Sequence, residues 1–280
     1  MSGNKKQTGQ GKVAWITGAS TGIGRATAIE MASRGWTIIA SARTADKLES
    51  LRDEVTKAGH PGKIVVIPAD VTDRKGLHDV VDRIEKDVGK IDLALLNAGT
   101  FKKDTATRFD AEEFRRTVDI NIMGTVNSLE PLLPRMLKRK AGHIAIVSSV
   151  AGYRGLPYSL SYGTTKAGLI NLAESLKTEL DGHNVKVQVV NPGFVKTPLT
   201  DKNDFEMPML MPVDKAAVAL ADGLEGNSFE ITFPRKFTFW MKRLRGLPDR
   251  LYFPLVKKGL GSGKPDAAKD DGPEPETPKP

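Results

Sequence analysis

The chain has 280 residues, 39% of them hydrophobic, so it is long enough to form one α/β domain with its own core. It contains no cysteine, which excludes disulfide bonds and thiolate metal sites. The formal net charge is +8, and residues 235–258 alone carry +7 from eight basic residues and one acid, so the basic character belongs to one segment.

The two ends of the chain are predicted to extend beyond the domain. Residues 1–11 are polar and lack the apolar stretch of a secretory signal, and no apolar run reaches the roughly 20 residues of a membrane span. Residues 261–280 hold five prolines, three glycines and eight charged residues, with no apolar side chain larger than alanine. We therefore expect a flexible N-terminus over 1–11 and a disordered tail over 261–280.

Short apolar runs alternate with segments of helical period along most of the chain. Strands are predicted at 12–17, 36–41, 63–69, 91–96, 143–148, 185–190 and, as a last short strand, 228–233. Helices are predicted at 22–34, 45–58, 73–88, 111–138 and 160–181. This alternation predicts the α/β class, with a doubly wound, Rossmann-like parallel sheet in a single domain. We place this domain at 12–233, followed by a basic and aromatic extension over 234–260.

A glycine-rich loop directly follows the first predicted strand and opens the first helix. Its glycines let the backbone turn tightly and approach a pyrophosphate, and the helix N-terminus offers free N–H groups to the phosphates. A glycine cluster alone is a weak signal, but its place at the start of a βαβ unit predicts a dinucleotide site. The residues expected to bind the cofactor in this loop are Gly18, Ser20, Thr21, Gly22, Ile23 and Gly24.

The spacing of this loop, T-G-x-x-x-G-x-G from Thr17 to Gly24, resembles that of the short-chain dehydrogenase/reductase family. Five further motifs follow in the family's order, and the resemblance spans residues 12 to about 233. They are Asp70-Val71, Asn97-Ala98-Gly99, Asn121, Ser149 with Tyr162-x-x-x-Lys166, and Pro192-Gly193 with Val195 and Thr197. Each motif is modest alone, but six in order on the right elements are jointly specific. Ser148 adjoins Ser149, and the gap to Tyr162 favours Ser149.

The resemblance implies an enzyme that transfers hydride reversibly between a nicotinamide dinucleotide and a carbonyl or alcohol carbon. Its catalytic residues would be Asn121, Ser149, Tyr162 and Lys166. Lys166 would also hold the nicotinamide ribose, Thr197 would hold the carboxamide, and Asn121 would hold a water that connects Lys166 to solvent. Asp70 would contact the adenine, and a homodimer or homotetramer would be the assembled form.

The residue types suit this chemistry. Carbonyl reduction builds negative charge on oxygen, so the site must supply a proton there. A free tyrosine, with a pKa near ~10, is a reluctant acid or base at neutral pH. Tyr162 and Lys166 lie four residues apart on a predicted helix and share a face, so the cation is expected to lower the pKa of the tyrosine. Ser149 would stabilise the substrate oxygen as it becomes an alkoxide.

The end of the second strand predicts the choice of cofactor. It reads Ser41-Ala42-Arg43-Thr44, without the carboxylate that holds a ribose 2′-hydroxyl in NAD-preferring relatives. The planar fork of Arg43 suits a 2′-phosphate, and Ser20 and Ser41 could add hydroxyl donors. We therefore expect NADP(H) to be preferred, with NAD(H) as the alternative. The competing interpretation is that Arg43 is a solvated residue at a helix start.

The physiological substrate cannot be read from the sequence, but the substrate-facing segments are apolar. They offer Tyr153, Leu156, Tyr158, Phe205, Met207, Met209, Leu210 and Met211. These residues suggest an apolar or lipid-like substrate, although they could also be loop anchors. Two other classes of protein share this fold. A catalytically silent dinucleotide-binding regulatory protein would usually lack Tyr162 or Lys166, and a sugar-nucleotide epimerase would carry a larger C-terminal domain.

Aromatic and aliphatic residues are interleaved with the cations of 235–258. Two compatible interpretations stay open: a cover packed over the substrate cleft, or a peripheral contact with an anionic membrane. Nucleic-acid binding is disfavoured by the fold and the apolar content. The four histidines lie at no metal-ligand spacing, so no metal is expected. The expected location is the cytoplasm, with peripheral membrane association.

Overall fold

The structure is a computed structural model that describes residues 7–201 and 207–260. Seven strands form one parallel sheet in the order β3-β2-β1-β4-β5-β6-β7. The strands are β1 (Val13–Thr17), β2 (Thr37–Ser41), β3 (Lys63–Val66), β4 (Leu93–Leu96), β5 (Gly142–Val147), β6 (Val185–Pro192) and β7 (Glu230–Phe233). In the central register Ala14 lies opposite Ile38 and Leu93 lies opposite His143. Every connection is therefore a crossover, and each contains at least one helix.

Helices cover both faces of this sheet. They are α1 (Gly22–Ser33), α2 (Ala45–Lys57), α3 (Arg74–Asp87), α4 (Ala111–Val118), α5 (Gly124–Arg139), α6 (Leu160–Glu179), α7 (Val213–Glu225), α8 (Arg235–Arg245) and α9 (Asp249–Leu260). A single π-helical turn, Asp119–Met123, joins α4 to α5. No helix in the described ranges is both long and apolar enough to cross a membrane.

Alternating side chains of the strands feed two cores, one on each face. On β1, Ala14 and Ile16 point to the core shared with α1, α2 and α7, whereas Val13 and Trp15 point to the core shared with α3, α5 and α6. Trp15 is fully buried, and its indole N–H donates to Ser41 Oγ at 3.0 Å. Both faces of the sheet are thus covered by helices and excluded from water, so the edge where the strands end remains available for a ligand site.

The predicted α/β fold, a doubly wound parallel sheet, is confirmed, with three differences in its elements. The helix predicted over 111–138 is interrupted by the π-turn, because an extra residue in that turn brings Asn121 to the interior. Helix α7 was not predicted. The extension 234–260 folds into α8 and α9, which were not predicted, although Phe237, Met241 and Leu244 have helical spacing.

The domain limits 12–233 and 234–260 stay predictions. The described part of 1–11 contacts the domain, since Gly9 N–H donates to the Arg34 carbonyl at 3.0 Å and Thr8 donates to Glu225. The tail 261–280, the first six residues of the N-terminal segment and Phe205 lie outside the described residues.

Candidate active site

A cleft of about 450 Å³ opens at the C-terminal edge of the sheet, where the strand order reverses between β1 and β4. Most of the predicted site residues line it: Gly18, Ser20, Thr21, Gly22, Ile23, Arg43, Asp70, Val71, Asn97, Ala98, Gly99, Ser149, Tyr162, Lys166, Pro192, Gly193, Val195 and Thr197. Gly24 and Asn121 stand behind this lining. A larger cavity of about 990 Å³ lies elsewhere and holds none of the predicted site residues.

The glycine-rich loop is held by the motif at the end of β4. The Asn97 amide donates to the carbonyls of Thr17 and Gly18 at 3.0 and 3.2 Å. Gly18 has φ +68°, and a Cβ there would lie 2.9 Å from the Ala98 backbone. A Cβ on Gly24 would lie 2.5 Å from the Gly18 carbonyl oxygen. The loop can close this tightly only with glycine at both positions.

The start of α1 is free to receive an anion. Its N-cap Thr21 makes no side-chain capping bond, and its first turn holds no acidic residue. The first backbone N–H groups of the helix therefore keep their hydrogen-bonding capacity and the positive end of the helix dipole. This arrangement, with the glycine turn in front of it, fits the pyrophosphate of a dinucleotide.

The chemistry-bearing side chains meet at the inner end of the cleft. Tyr162 lies in the first turn of α6, its ring edge-on to Phe101 at 5.1 Å, and its hydroxyl is hydrogen-bonded to Ser149. Ser149 is the second residue after β5, and its Oγ accepts the Ala151 N–H at 3.1 Å. Lys166 Nζ lies 5.5 Å from the Tyr162 ring centre and donates to the Val147 carbonyl at 2.9 Å. An acid, a hydroxyl donor and a cation thus share one small space.

Burial dominates the protonation of this group. It raises the pKa of Tyr162 to about 12, although the hydrogen bond with Ser149 acts in the opposite direction. It lowers the pKa of Lys166 to about 8. The sequence-based expectation that the lysine lowers the pKa of the tyrosine is wrong for the protein alone, because burial penalises the phenolate and the Lys166 ammonium is anchored on a backbone carbonyl.

Asn121 is fully buried in the π-turn and fixes the wall of the cleft. Its Oδ1 accepts the Thr100 N–H at 2.7 Å, and its amide donates to the Thr100 carbonyl and to Thr165 Oγ1 at 3.1 and 3.0 Å. A Cβ on Gly99 would lie 3.3 Å from Asn121 Oδ1 and 3.5 Å from Lys166 Nζ, so both groups border the same space. Its predicted water-holding role stays a prediction.

Sequence reasoning missed Asp104, which caps the helix that carries Tyr162 and Lys166. The N-cap Ser159 makes no side-chain capping bond. Instead, the two Asp104 carboxylate oxygens accept the N–H groups of Leu160 and Ser161 at 2.6 and 2.7 Å. The cap comes from a loop 56 residues away, so no local pattern could have revealed it. Arg116 and Ile120 also line the cleft unpredicted; they lie four residues apart and so share a helix face.

An apolar pocket of about 340 Å³ adjoins the cleft. The two cavities share Ser149 and Tyr162. The far wall and roof come from α8 and α9 through Phe237, Met241, Leu244, Leu255, Val256 and Gly259. A Cβ on Gly193 would lie 2.5 Å from the Phe237 ring, so glycine there lets α8 approach the site. The C-terminal extension is therefore a cover over the pocket.

Several predicted contacts with substrate or cofactor are wrong. Leu156 and Tyr158 line the apolar pocket as expected, but Tyr153 is buried in the core and donates to Glu230. The three described residues of the 209–211 stretch point elsewhere: Met209 and Leu210 are exposed and Met211 packs on the core. Met207 does not border the pocket either.

The predicted hydroxyl donor Ser41 is also excluded from the cleft. It is buried between the Trp15 indole and the Ile67 carbonyl, to which it donates at 2.7 Å. Arg43 is exposed at the rim of the cleft. Its guanidinium makes no ion pair or hydrogen bond with residues 7–201 or 207–260. Asp70 lines the cleft and accepts from Thr72.

The family model of the short chain dehydrogenases matches residues 12–207, and the chain belongs to this family. An uncharacterized oxidoreductase of Myxococcus xanthus is 36% identical over 243 residues, 86% of this chain and 94% of that protein. The 3-oxoacyl-(acyl-carrier-protein) reductase of Thermotoga maritima is 37% identical over 193 residues, 69% of this chain and 78% of that protein.

Solved structures give the same result. A short-chain dehydrogenase from Sphingobium yanoikuyae in complex with NADPH superposes with a TM-score of 0.74 at 25% identity, covering 93% of this chain and 99% of that one. A 3-oxoacyl-(acyl-carrier protein) reductase from Brucella melitensis with bound NAD gives 0.72 at 27% identity, covering 82% and 92%. This chain is thus an oxidoreductase that acts on carbonyl or alcohol groups of small molecules with a nicotinamide dinucleotide.

Proposed function

We propose that the protein is an NADP(H)-dependent reductase or dehydrogenase that interconverts a ketone or aldehyde and an alcohol on an apolar, lipid-like substrate, with Tyr162 as acid and base. The observation that carries this proposal is the meeting of two cavities at Ser149 and Tyr162: a cleft with a phosphate-binding loop on one side and an apolar pocket on the other. A substrate whose reactive oxygen lies at this junction has its apolar part in the pocket.

The residues at the junction have separate roles in this proposal. The bound dinucleotide supplies or accepts the hydride. In reduction, Tyr162 Oη gives its proton to the substrate oxygen, and Ser149 Oγ donates a hydrogen bond to it as negative charge builds there. The pKa of about 12 means that Tyr162 carries its proton at neutral pH. Lys166, held at Val147, faces the space that the nicotinamide ribose would fill.

The wall of the apolar pocket supports an apolar substrate. Most residues that line the pocket are aliphatic, aromatic, methionine or glycine. The lining residues with a hydroxyl group are Ser149, Tyr158, Ser159, Tyr162 and Thr200. Burial of hydrocarbon against such a wall stabilises a complex by about 0.8 kcal/mol per methylene, whereas an unpaired polar group would cost free energy there. A long-chain or bulky apolar carbonyl compound therefore suits the pocket better than a polyol.

The NADP(H) preference rests on the rim of the cleft. β2 ends without a carboxylate near the adenosine side, and the guanidinium of Arg43 is exposed at that rim. Arg116, on α4, lines the same cleft and adds a second cation. Two positive forks at the mouth favour a cofactor with an additional phosphate.

The proposal includes a cytoplasmic location, a homodimer or homotetramer as the assembled form, and peripheral membrane contact through 235–258. The outer faces of α8 and α9 expose Phe239, Trp240, Leu251, Phe253 and Leu255 beside the cations of that segment. Aromatic rings beside cations suit the headgroup boundary of an anionic bilayer. Leu255 belongs both to this face and to the pocket wall, so the pocket reaches the surface there.

A turnover assay tests the proposal. A panel of apolar ketones and alcohols is offered with NADPH or NADP⁺, and the absorbance of the reduced nicotinamide is followed. Tyr162→Phe keeps the ring but removes the proton, so turnover should fall by at least about a hundredfold while dinucleotide binding, followed by fluorescence, persists. Turnover of Tyr162→Phe at more than a few per cent of the wild-type rate would show that the assigned acid is wrong. Tight binding without turnover in the wild type would favour the regulatory alternative.

A further inference from the structure

The cover formed by α8 and α9 is fastened to the loop that carries Ser149. Arg154 lies five residues after Ser149 in that loop, and its guanidinium reaches the turn between the two cover helices. One nitrogen donates to the Leu247 and Arg245 carbonyls at 2.6 and 3.2 Å. Another pairs with the carboxylate of Asp249.

The same guanidinium also stacks on α9. Its central carbon lies 3.8 Å from the centre of the Tyr252 ring and 5.7 Å from that of Phe253. Tyr252 is buried, and its hydroxyl donates back to the Gly155 carbonyl at 2.7 Å. Arg154 and Tyr252 therefore interlock: each reaches from its own segment to the other. We call this group of contacts around Arg154 the clasp.

The contacts of the clasp differ in strength. The Asp249 side chain is 81% exposed, so its ion pair contributes little. The Arg245 and Leu247 carbonyls stand at the C-terminal end of α8, where the helix dipole is negative and carbonyls lack intrahelical partners. A planar fork that bonds these carbonyls and lies on an aromatic face is specific to arginine. The ring stacking and the hydrogen bonds to the two carbonyls therefore stabilise the clasp most, and the ion pair stabilises it less.

A second fastening holds α8 near its middle. Glu230 on β7 accepts from the Tyr153 hydroxyl and from the Asn191 amide, the latter at 2.7 Å, and pairs with Lys242 of α8. Burial opposes the charge of this carboxylate, yet the bonds from Lys242, Tyr153 and Asn191 hold the pKa of Glu230 below its usual value. Near its middle, helix α8 is thus anchored independently of Arg154, whereas the clasp acts on the C-terminal end of α8, on the turn and on α9.

We propose that Arg154 is a specificity-determining residue that sets the length of apolar substrate the enzyme accepts, by holding α9 closed over the outer half of the pocket. Leu255, Val256 and Gly259 of α9 form that outer half, while Ser149 and Tyr162 form the inner end. A short ketone is buried by the inner residues alone. A longer chain is buried only where α9 stays in place. This inference rests on the proposed function, since it presumes a carbonyl substrate in the pocket.

The family match ends at residue 207, so the partners of Arg154 lie outside it. The clasp thus joins a segment within the family match to a segment that the match does not include. A generic structural role for Arg154 would lower stability and affect all substrates alike. A specificity role affects long substrates more than short ones, which is a readout that stability does not mimic.

The test compares kcat/KM along a series of straight-chain methyl ketones, from butanone upward, for the wild type, Arg154→Lys and Arg154→Met. In the wild type each methylene buried under α9 should raise kcat/KM by about fourfold. In both variants the factor by which kcat/KM rises per methylene should fall toward one for the longer ketones, mainly because their KM increases. Asp249→Asn should give a smaller change of the same kind. The control is Arg52→Lys, an exposed arginine of α2 paired with Glu49, which should leave the series unchanged.

Amide hydrogen exchange provides an activity-independent test. Loss of the clasp should speed exchange in α9 but not in α6 or in the glycine-rich loop. If the wild type turns over no ketone of the series while exchange in α9 rises in Arg154→Met, the proposed function is wrong and the specificity inference is overturned with it, although Arg154 does hold α9 in place. If exchange is unchanged, or if short and long ketones lose equally, the inference is overturned.

Discussion

At the residue scale, Tyr162 and Lys166 show what spacing predicts and what it does not. Four residues on a helix place both side chains on one face, and the structure has them there. Their protonation depends on the surroundings instead. Burial raises the pKa of Tyr162 to about 12 and lowers that of Lys166 to about 8. Without its cofactor the protein therefore keeps this tyrosine protonated, the form that the proposed reduction requires.

These directions predict the pH dependence of the reaction. Tyr162 stays protonated well above neutral pH, so kcat/KM for reduction should be level at neutral pH. It should fall as pH rises through about 8, where Lys166 loses its proton and its charge. Oxidation needs the phenolate, so its kcat/KM should rise with pH. A pH series in both directions measures this. With Lys166→Arg, which stays charged, any remaining activity should lack the fall near pH 8; a fall that persists would assign it elsewhere.

Arg43 gives a second prediction at this scale. Removal of a charged fork that bonds a phosphate costs about 1.5–3 kcal/mol, so Arg43→Ala should weaken NADPH binding by roughly ten- to a hundredfold. NADH carries no phosphate at that position, and its dissociation constant should barely move. Fluorescence titration with both cofactors measures the difference, and Arg52→Ala is the matched control on the exposed face of α2. Equal losses for NADPH and NADH would refute the assignment.

At the scale of elements, local pattern predicted the strands and the helices between them except α7, because alternation and helical period are local properties. It failed where packing decides. The π-turn at Asp119–Met123 exists because Asn121 is drawn inward to the Thr100 backbone, a contact between distant segments. Helices α8 and α9 carry a local signal that the prediction did not use, since Phe237, Met241 and Leu244 lie at helical spacing on the face that packs over the pocket.

The cap of α6 leads to a prediction about an element. Asp104→Ala leaves the N–H groups of Leu160 and Ser161 without an acceptor, two residues before Tyr162. Unfolding free energy should fall by about 1 kcal/mol, and kcat should fall several-fold because Tyr162 loses its fixed position. Denaturant unfolding and single-turnover kinetics measure the two effects.

The matched control for this cap is Asp110→Ala. Asp110 is the local N-cap of α4, and its Oδ1 likewise accepts two first-turn N–H groups, those of Glu112 and Glu113 at 3.0 and 3.1 Å. It should cost a similar stability with little effect on kcat. If both variants lose kcat equally, Asp104 has only a general structural role and does not position Tyr162.

At the scale of the whole molecule, the sequence predicted the fold class, and the residues it proposed for the site largely meet in one cleft. Most of the six motifs lie just after strands of one parallel sheet, whose C-terminal ends share an edge. The apolar pocket was less accessible to prediction. Its lining joins Leu156 and Tyr158 to residues of α8 and α9 roughly a hundred positions later, and such pairings depend on tertiary packing. Tyr153 was predicted to face the substrate but lies in the core, and the reason is the same: only the fold reveals its partner Glu230.

The uneven charge of the molecule gives the last prediction. The +7 of residues 235–258 surrounds exposed rings, among them Trp240 at 65% and Phe253 at 61% exposure. Two copies of this face would repel each other, whereas anionic lipid would attract each cation by about 1 kcal/mol. The chain should co-sediment at low salt with vesicles containing phosphatidylserine but not with pure phosphatidylcholine, and salt should release it. Trp15 and Trp36 are buried, so a blue shift of tryptophan fluorescence on binding reports Trp240.

Two charge-reversal variants with the same net charge test whether this face does the binding. The first changes Lys236, Arg243 and Lys257 to glutamate and leaves Lys242, which pairs with Glu230, untouched. The second changes three exposed lysines remote from the cover, Lys57, Lys75 and Lys86. The first should lose vesicle binding and the blue shift, and the second should keep both. Equal losses would mean that net charge alone drives the association. If the wild type stays in the supernatant, α8 and α9 are a cover without a membrane role.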